Sequence, residues 1–178
     1  MNDKLITQLK KTILTVQDFP KKGVLFYDIT PVLLDPILFD QVIEAMAEVV
    51  KEAKADIIAS PESRGFLFGV PLANKLKLPF VLVRKENKLP RQRFSASYDL
   101  EYGKNNVVEI HQDAIKPNSR VMIVDDLLAT AGTVEAISKL VKLSQSEVVG
   151  YSFLIRLKNL GGIDKLDKTK PINYILEY

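Results

Sequence analysis

The 178 residues contain no cysteine and a single histidine, His111. The first absence excludes disulfides, thiolate nucleophiles and cysteine-held metals. The second leaves one possible base for a Ser-His-Asp arrangement and rules out a multi-histidine zinc site within one chain. His111 closes the alternating segment VVEIH, so it reads as a strand-end or surface residue rather than a catalytic one. No apolar run approaches membrane-spanning length. The N-terminal stretch interleaves Lys4, Lys10 and Lys11 with apolar residues and has no small-residue cleavage site, so it is not expected to be a signal peptide. A cytoplasmic protein without a membrane partner is expected. Dense Lys/Arg runs are also missing. The net charge of +3 would help attract a polyanionic small molecule but falls short of a nucleic-acid footprint. With no repeat, low-complexity tract or linker, residues 1–178 read as one domain with an ordinary globular composition, 47% apolar and 26% charged.

What is present is concentrated in VMIVDDLLATAGT, residues 121–133. Val121 to Val124 read as a buried parallel strand, with Asp125 and Asp126 where that strand should end. Ala129, Thr130, Ala131, Gly132 and Thr133 then leave room for backbone N–H groups to face an anion, and a helix beginning near Gly132 adds the positive end of its dipole. Two adjacent carboxylates can accept hydrogen bonds from two neighbouring hydroxyls. A ribose phosphate carries both features. Singly, each part has a plainer reading: Asp-Asp as a solvated loop start, and the small residues as a tightly packed helix cap. Their conjunction at a strand's carboxyl end, where open α/β sheets bind ligands, favours a site.

Leu5, Ile6, Leu9 and Ile13 recur at helical spacing, predicting an opening helix that stops before Phe19-Pro20. FPKKGVLFYDITPVLLDP reads as a structured loop, and residues 36–54 as a helix. ADIIAS is a short buried strand, PESRG a turn, and FLFGVPLANKLK a helix whose start Pro71 should kink or shift. PFVLVR is a strand. Residues 85–96, with four Lys/Arg and no apolar periodicity, read as a long mobile loop acting as a flap. SYDLEYG and VVEIH form a hairpin turning at residues 104–106. RVMIVDD, TVEAISKLVKL and EVVGYSFLIRL follow as strand, helix and strand, and INYILE as a last strand after a turn at Gly161-Gly162. The alternation predicts an α/β fold with a central, mostly parallel sheet flanked by helices.

Other candidates lie at the same sheet edge. In PESRG, Gly65 would permit an unusual backbone angle, and Arg64 offers a fork of donors for phosphate unless a nearby acid claims it. Arg84, Lys85, Lys88, Arg91 and Arg93 are read either as a solvated charged face or as a group closing over an anionic substrate. Glu101, flanked by Tyr98 and Tyr102, reads locally as an exposed hairpin glutamate, and Phe26 as core.

Taken together, FPKKGVLFYDITPVL, ESRGFLFG, VRKENKLP, SYDLEYG and VDDLLATAGT resemble the ordered signature segments of the adenine phosphoribosyltransferases. VDDLLATAGT alone resembles only the wider type I phosphoribosyltransferase group; the FP..GV.F.DITP and LEYG segments narrow it to adenine. The resemblance implies conversion of adenine and 5-phosphoribosyl-1-pyrophosphate (PRPP) to AMP and pyrophosphate, in purine salvage, with Mg2+ held mainly by substrate and water. It implies a homodimer, an N-terminal hood over the base formed by residues 1–35, and a flap and hairpin at residues 85–106. By the same resemblance Asp125 and Asp126 hold the ribose hydroxyls, and Ala129, Thr130, Ala131, Gly132 and Thr133 bind the 5-phosphate. Arg64, Arg84 and Lys88 face the pyrophosphate, and Phe26 stacks on the base. Backbone groups of Leu25 and Tyr27 read the adenine edge, Tyr102 lines the substrate site, and Glu101 is the catalytic acid/base. Two positions depart from the pattern: Tyr27 stands where some relatives carry a basic residue, and ATAGT where many read ATGGT. Transfer to xanthine, hypoxanthine or guanine is the nearest alternative activity. A PRPP-sensing DNA-binding regulator is a more distant one, since no helix-turn-helix with basic spacing is evident.

Overall fold

A computed structural model describes residues 3–100 and 103–178. Helix α1 (Asp3–Thr12) leads into a two-stranded antiparallel ribbon, β1 (Leu14–Gln17) and β2 (Leu25–Asp28), which pairs Val16 with Phe26. Of the ribbon only β2 lies within the stretch expected to be a loop; β1 occupies residues where the opening helix was expected to continue towards Phe19-Pro20, α1 ending at Thr12 instead. The ribbon's shortness and the exposure of all four β1 residues explain why no alternating pattern announced it. After α2 (Thr30–Leu34), α3 spans Pro36–Glu52. Asp35 starts α3 by accepting hydrogen bonds from the Ile37 and Leu38 amides at 3.1 and 3.0 Å, and Pro36 occupies the first turn, where its missing N–H costs nothing.

The core of the chain is built from β3 (Ile57–Pro61), α4 (Arg64–Leu76), β4 (Phe80–Lys85), β5 (Arg93–Leu100), β6 (Gly103–His111), β7 (Arg120–Leu128), α5 (Gly132–Leu143), β8 (Glu147–Arg156) and β9 (Ile172–Glu177). One sheet has the order β5-β6-β4-β3-β7-β8-β9, parallel from β4 to β9 and antiparallel at β5 and β6. Strand alternation splits the core into two layers. Met122 and Val124 of β7 pack with α1, α3 and α4 on one face, and Val121 and Ile123 pack with α5 on the other. The strands therefore read as nearly continuous apolar runs, as buried parallel strands should.

Several boundaries differ from expectation. α4 begins at Arg64 and runs on through Pro71. β7 does not end at the acid pair but continues to Leu128, because β8 pairs with it as far as Leu128↔Arg156. The expected loop at 85–96 is short: β4 reaches Lys85 and β5 begins at Arg93. The intervening turn is tied down by buried Leu89 and by the Asn87 amide, which donates to Glu109 at 3.0 Å. β5 and β6 pair as far as Leu100↔Gly103, so residues 104–106 lie in β6 rather than in a turn. His111 ends β6 as expected.

Candidate active site

From β3 the chain passes through α4 to β4 on one side, and from β7 through α5 to β8 on the other. The order reverses between the adjacent strands β3 and β7, and such a reversal opens a crevice at the strands' carboxyl ends. Glu62 to Gly65 and Asp125 to Thr133 both lie at that crevice. α4 packs closely on β3: a Cβ on Gly69 would collide with Ser60 Oγ. One at Gly65 would come within 2.9 Å of Asp125 Oδ1 and 2.8 Å of Pro61 Cδ. Gly65 is thus required for close approach. It does not supply a left-handed backbone angle, since its φ is not positive.

The two carboxylates face different surroundings. Asp125 Oδ1 accepts the Asp126 amide at 2.8 Å. Burial pushes the Asp125 carboxyl well above the ordinary carboxylate value, and the neighbouring Asp126 charge pushes it further. Burial also raises Asp126, but the Arg64 guanidinium, with Nε 3.0 Å from Asp126 Oδ2, pulls it partly back. Both groups are thus poised to gain from a hydroxyl donor or a cation.

Past β7, Ala131 caps α5 in the left-handed conformation at φ 64°. That conformation is a natural place for glycine and costs an alanine about 1–2 kcal/mol. The turn holds a cleft of ≈ 50 Å³ bordered by Asp125, Leu127 and residues 129–134, at the amino end of α5. A second cavity, ≈ 530 Å³, opens beside it between the ribbon and the sheet. Leu127 and Ala129 border both. Its other walls include Leu25, Phe26, Tyr27, Arg64, Leu157 and Tyr178. Phe26 meets Phe19 edge to face at 5.1 Å, and the Arg64 guanidinium lies 5.3 Å from the Phe26 ring centroid.

The structure brings Phe26, Arg64, Asp125, Asp126 and residues 129–133 to one groove. The basic side chains are placed less freely than the sequence implied. Arg64 is engaged by Asp126 and Phe26. Arg84 Nε donates to Glu62 Oε2 at 2.8 Å, and the Lys85 amide to the same oxygen at 3.2 Å. That contact with Arg84 holds the Glu62 carboxyl below its usual range. Lys88 is exposed on the turn after β4. Arg93 is claimed by buried Glu109, its Nε donating at 2.8 Å, and Arg91 by Asp113. Glu101 and Tyr102 lie outside the described residues. Sequence reasoning missed three contributors: Glu62, Tyr178 and Gly162. A Cβ on Gly162 would collide with the Ala129 carbonyl oxygen, so Gly162 backs the turn at residues 129–131. Gly161-Gly162 was legible only as a turn, because nothing local ties it to a loop more than thirty residues earlier.

A phosphoribosyl transferase domain is matched over residues 32–176. The chain is 83% identical to an adenine phosphoribosyltransferase of Mycoplasmoides gallisepticum over 178 residues, covering the whole of both. It is 47% identical to the crystal structure of adenine phosphoribosyltransferase from Thermoanaerobacter pseudethanolicus, with TM-score 0.92, covering 97% of this chain and 99% of that one. The Saccharomyces cerevisiae adenine phosphoribosyltransferase, solved in complex with an imino-altritol bisphosphate and adenine, is 38% identical with TM-score 0.91, covering 98% of this chain and 99% of that one.

Proposed function

The chain belongs to the phosphoribosyltransferases, in the adenine-specific branch, and from that premise we propose how its groove carries out the transfer. The enzyme is a pentosyltransferase of purine salvage that joins adenine to PRPP, giving AMP and pyrophosphate. The observation that carries the assignment of parts is the shared wall at Leu127 and Ala129. A base in the Phe26-lined cavity and a phosphate at the α5 turn would be spanned by a ribose lying over Asp125 and Asp126.

In this reading the Asp125 and Asp126 carboxylates accept the ribose 2- and 3-hydroxyls, whose protons offset the cost of burying two acids. Amides of residues 129–133 and the Thr130 and Thr133 hydroxyls take the 5-phosphate. Phe26 stacks on the purine, and backbone groups of Leu25 and Tyr27 read its edge. Arg64 exchanges Asp126 and Phe26 for pyrophosphate oxygens, while Arg84 and Lys88 approach the same group. Loss of pyrophosphate leaves an oxocarbenium-like sugar, so neutralising the departing phosphates and excluding water lower the barrier most. Glu101 manages the purine ring proton as N9 attacks C1, and Tyr102 contributes to substrate binding.

The donor chemistry fits Mg2+. The acid pair offers hard oxygens, and such an ion is commonly held by one or two carboxylates plus substrate phosphates and water. When bound, the ion neutralises pyrophosphate charge. We also propose a homodimer. α4 leaves Leu67 and Val70 exposed, and Leu82 of β4 is exposed too. Phe66, a turn before Val70, meets Phe80, two residues before Leu82, with ring centroids 5.8 Å apart. These groups form one apolar face, and Arg84 follows Leu82 on the same side of β4, so the basic residues border the interface. No helix among the described residues is long and apolar enough to cross a membrane; a cytoplasmic location is part of the proposal, and recovery of the activity with membranes would contradict it.

Purified enzyme supplied with PRPP, Mg2+ and, in separate reactions, adenine, hypoxanthine, guanine or xanthine tests the reading. AMP from adenine alone is the expected result. A 6-oxo purine used in preference would transfer the assignment, since the site must reverse a donor or acceptor to read it.

A further inference from the structure

The base cavity has a wall that none of the expected site residues supplies. Tyr178 lines it, with its ring centroid 4.5 Å from that of Tyr27 and the two planes inclined by 34°. The backbone of Tyr178 is locked to the main sheet: its amide donates to the Arg156 carbonyl at 3.0 Å, and its carbonyl accepts from the Lys158 amide at 2.8 Å. The β1–β2 ribbon, by contrast, is a separate two-stranded sheet. Such a hairpin is marginal on its own and takes its orientation from what it docks against. Of the contacts that dock β2, the one between Arg64 and Phe26 uses a charged side chain that the proposed transfer draws away to pyrophosphate. The one between Tyr27 and Tyr178 involves no such group, and the phenols of both residues are pushed up by burial.

We propose that Tyr178 is a positioning residue for the base: by packing on Tyr27 it fixes β2 against the sheet and so sets the affinity for adenine. This inference rests on the assignment of the Phe26-lined cavity to the base. Tyr27, which departs from the family's pattern, thereby acquires a role as the ribbon's docking contact.

Steady-state kinetics of the full chain test it, with wild type measured first for AMP formation. Tyr178→Ala is expected to raise KM for adenine about five- to tenfold, in the upper part of the range an aromatic pair contributes, while kcat and KM for PRPP stay within about twofold. Tyr178→Phe, which keeps the ring, should restore KM for adenine, and Tyr178→Leu should fall between. An unchanged KM for adenine in the Ala and Leu variants overturns the proposal. So does a parallel rise in both KM values, or a Phe variant as impaired as Ala. If Tyr178→Ala does not fold, the comparison of the Leu and Phe variants decides between the same outcomes. Absence of AMP from wild type would instead overturn the functional reading beneath it.

Discussion

Asp125, proposed to bind the ribose, is a group whose burial works against the fold that carries it. An acid whose folded value is raised holds more protons folded than unfolded, so its contribution to stability declines as pH rises from the ordinary value of 3.8 through the raised one. Asp125→Asn should therefore raise the thermal midpoint of the ligand-free protein at neutral pH, an advantage that shrinks as pH falls through the raised value and is gone below about pH 4. The same variant should bind PRPP much more weakly. Calorimetric scans across pH, with PRPP titrations, check both halves; a lower midpoint at pH 7 would contradict the first. Glu62 has the opposite sign: with its value lowered by Arg84, it contributes stability that is lost as pH falls through the lowered value. Glu101→Gln should lower kcat about a hundredfold or more while PRPP affinity changes little, as expected for a group acting on the base proton. Equal losses in kcat and PRPP binding would mark Glu101 as structural.

Among the elements, the turn at residues 129–133 is shaped by a neighbour distant in sequence. Gly162→Ala places a methyl group against the Ala129 carbonyl, so the turn must move. The expected result is a ten- to hundredfold rise, roughly, in KM for PRPP, with adenine affinity in the AMP-forming direction little altered. An unchanged KM for PRPP would show that the turn yields at no cost. The elements also differ in how plainly the sequence announces them. The buried runs ADIIAS, PFVLVR and RVMIVDD announced β3, β4 and β7, because a parallel strand buried on both faces has to be apolar throughout. β1, β2 and the opening of β5, residues 93–96, carried no such signal, whereas the rest of β5 was read as a hairpin strand. β1 is exposed along its whole length, and the charged stretch that opens β5 is held by Glu109, on the neighbouring strand.

Assembly is the property of the whole molecule open to a direct test. Val70→Asp or Leu67→Asp puts a charge on the apolar face of α4, where both residues are exposed in the single chain. Sedimentation should show dimer for wild type and monomer for the variants, with the fold retained because neither side chain is part of the core. A variant dimer as stable as wild type would move the interface elsewhere. Loss of activity on dissociation would further support a contribution from the basic residues near Leu82 across the interface.

Amino-acid order alone was enough to specify the parts with a local cause: the strand, acid pair and small-residue turn of residues 121–133, the helix opened by Asp35-Pro36, and the alternation that makes a parallel sheet. Its signature segments pointed to adenine. Which groups meet was settled by tertiary packing. Arg64 is held by Asp126 and Phe26, Arg84 by Glu62, Gly162 stands behind Ala129, and Tyr178 docks Tyr27. Local patterning reflects which face of an element is buried, whereas these contacts depend on strand order and on the switch between β3 and β7. No short stretch of sequence carries that order.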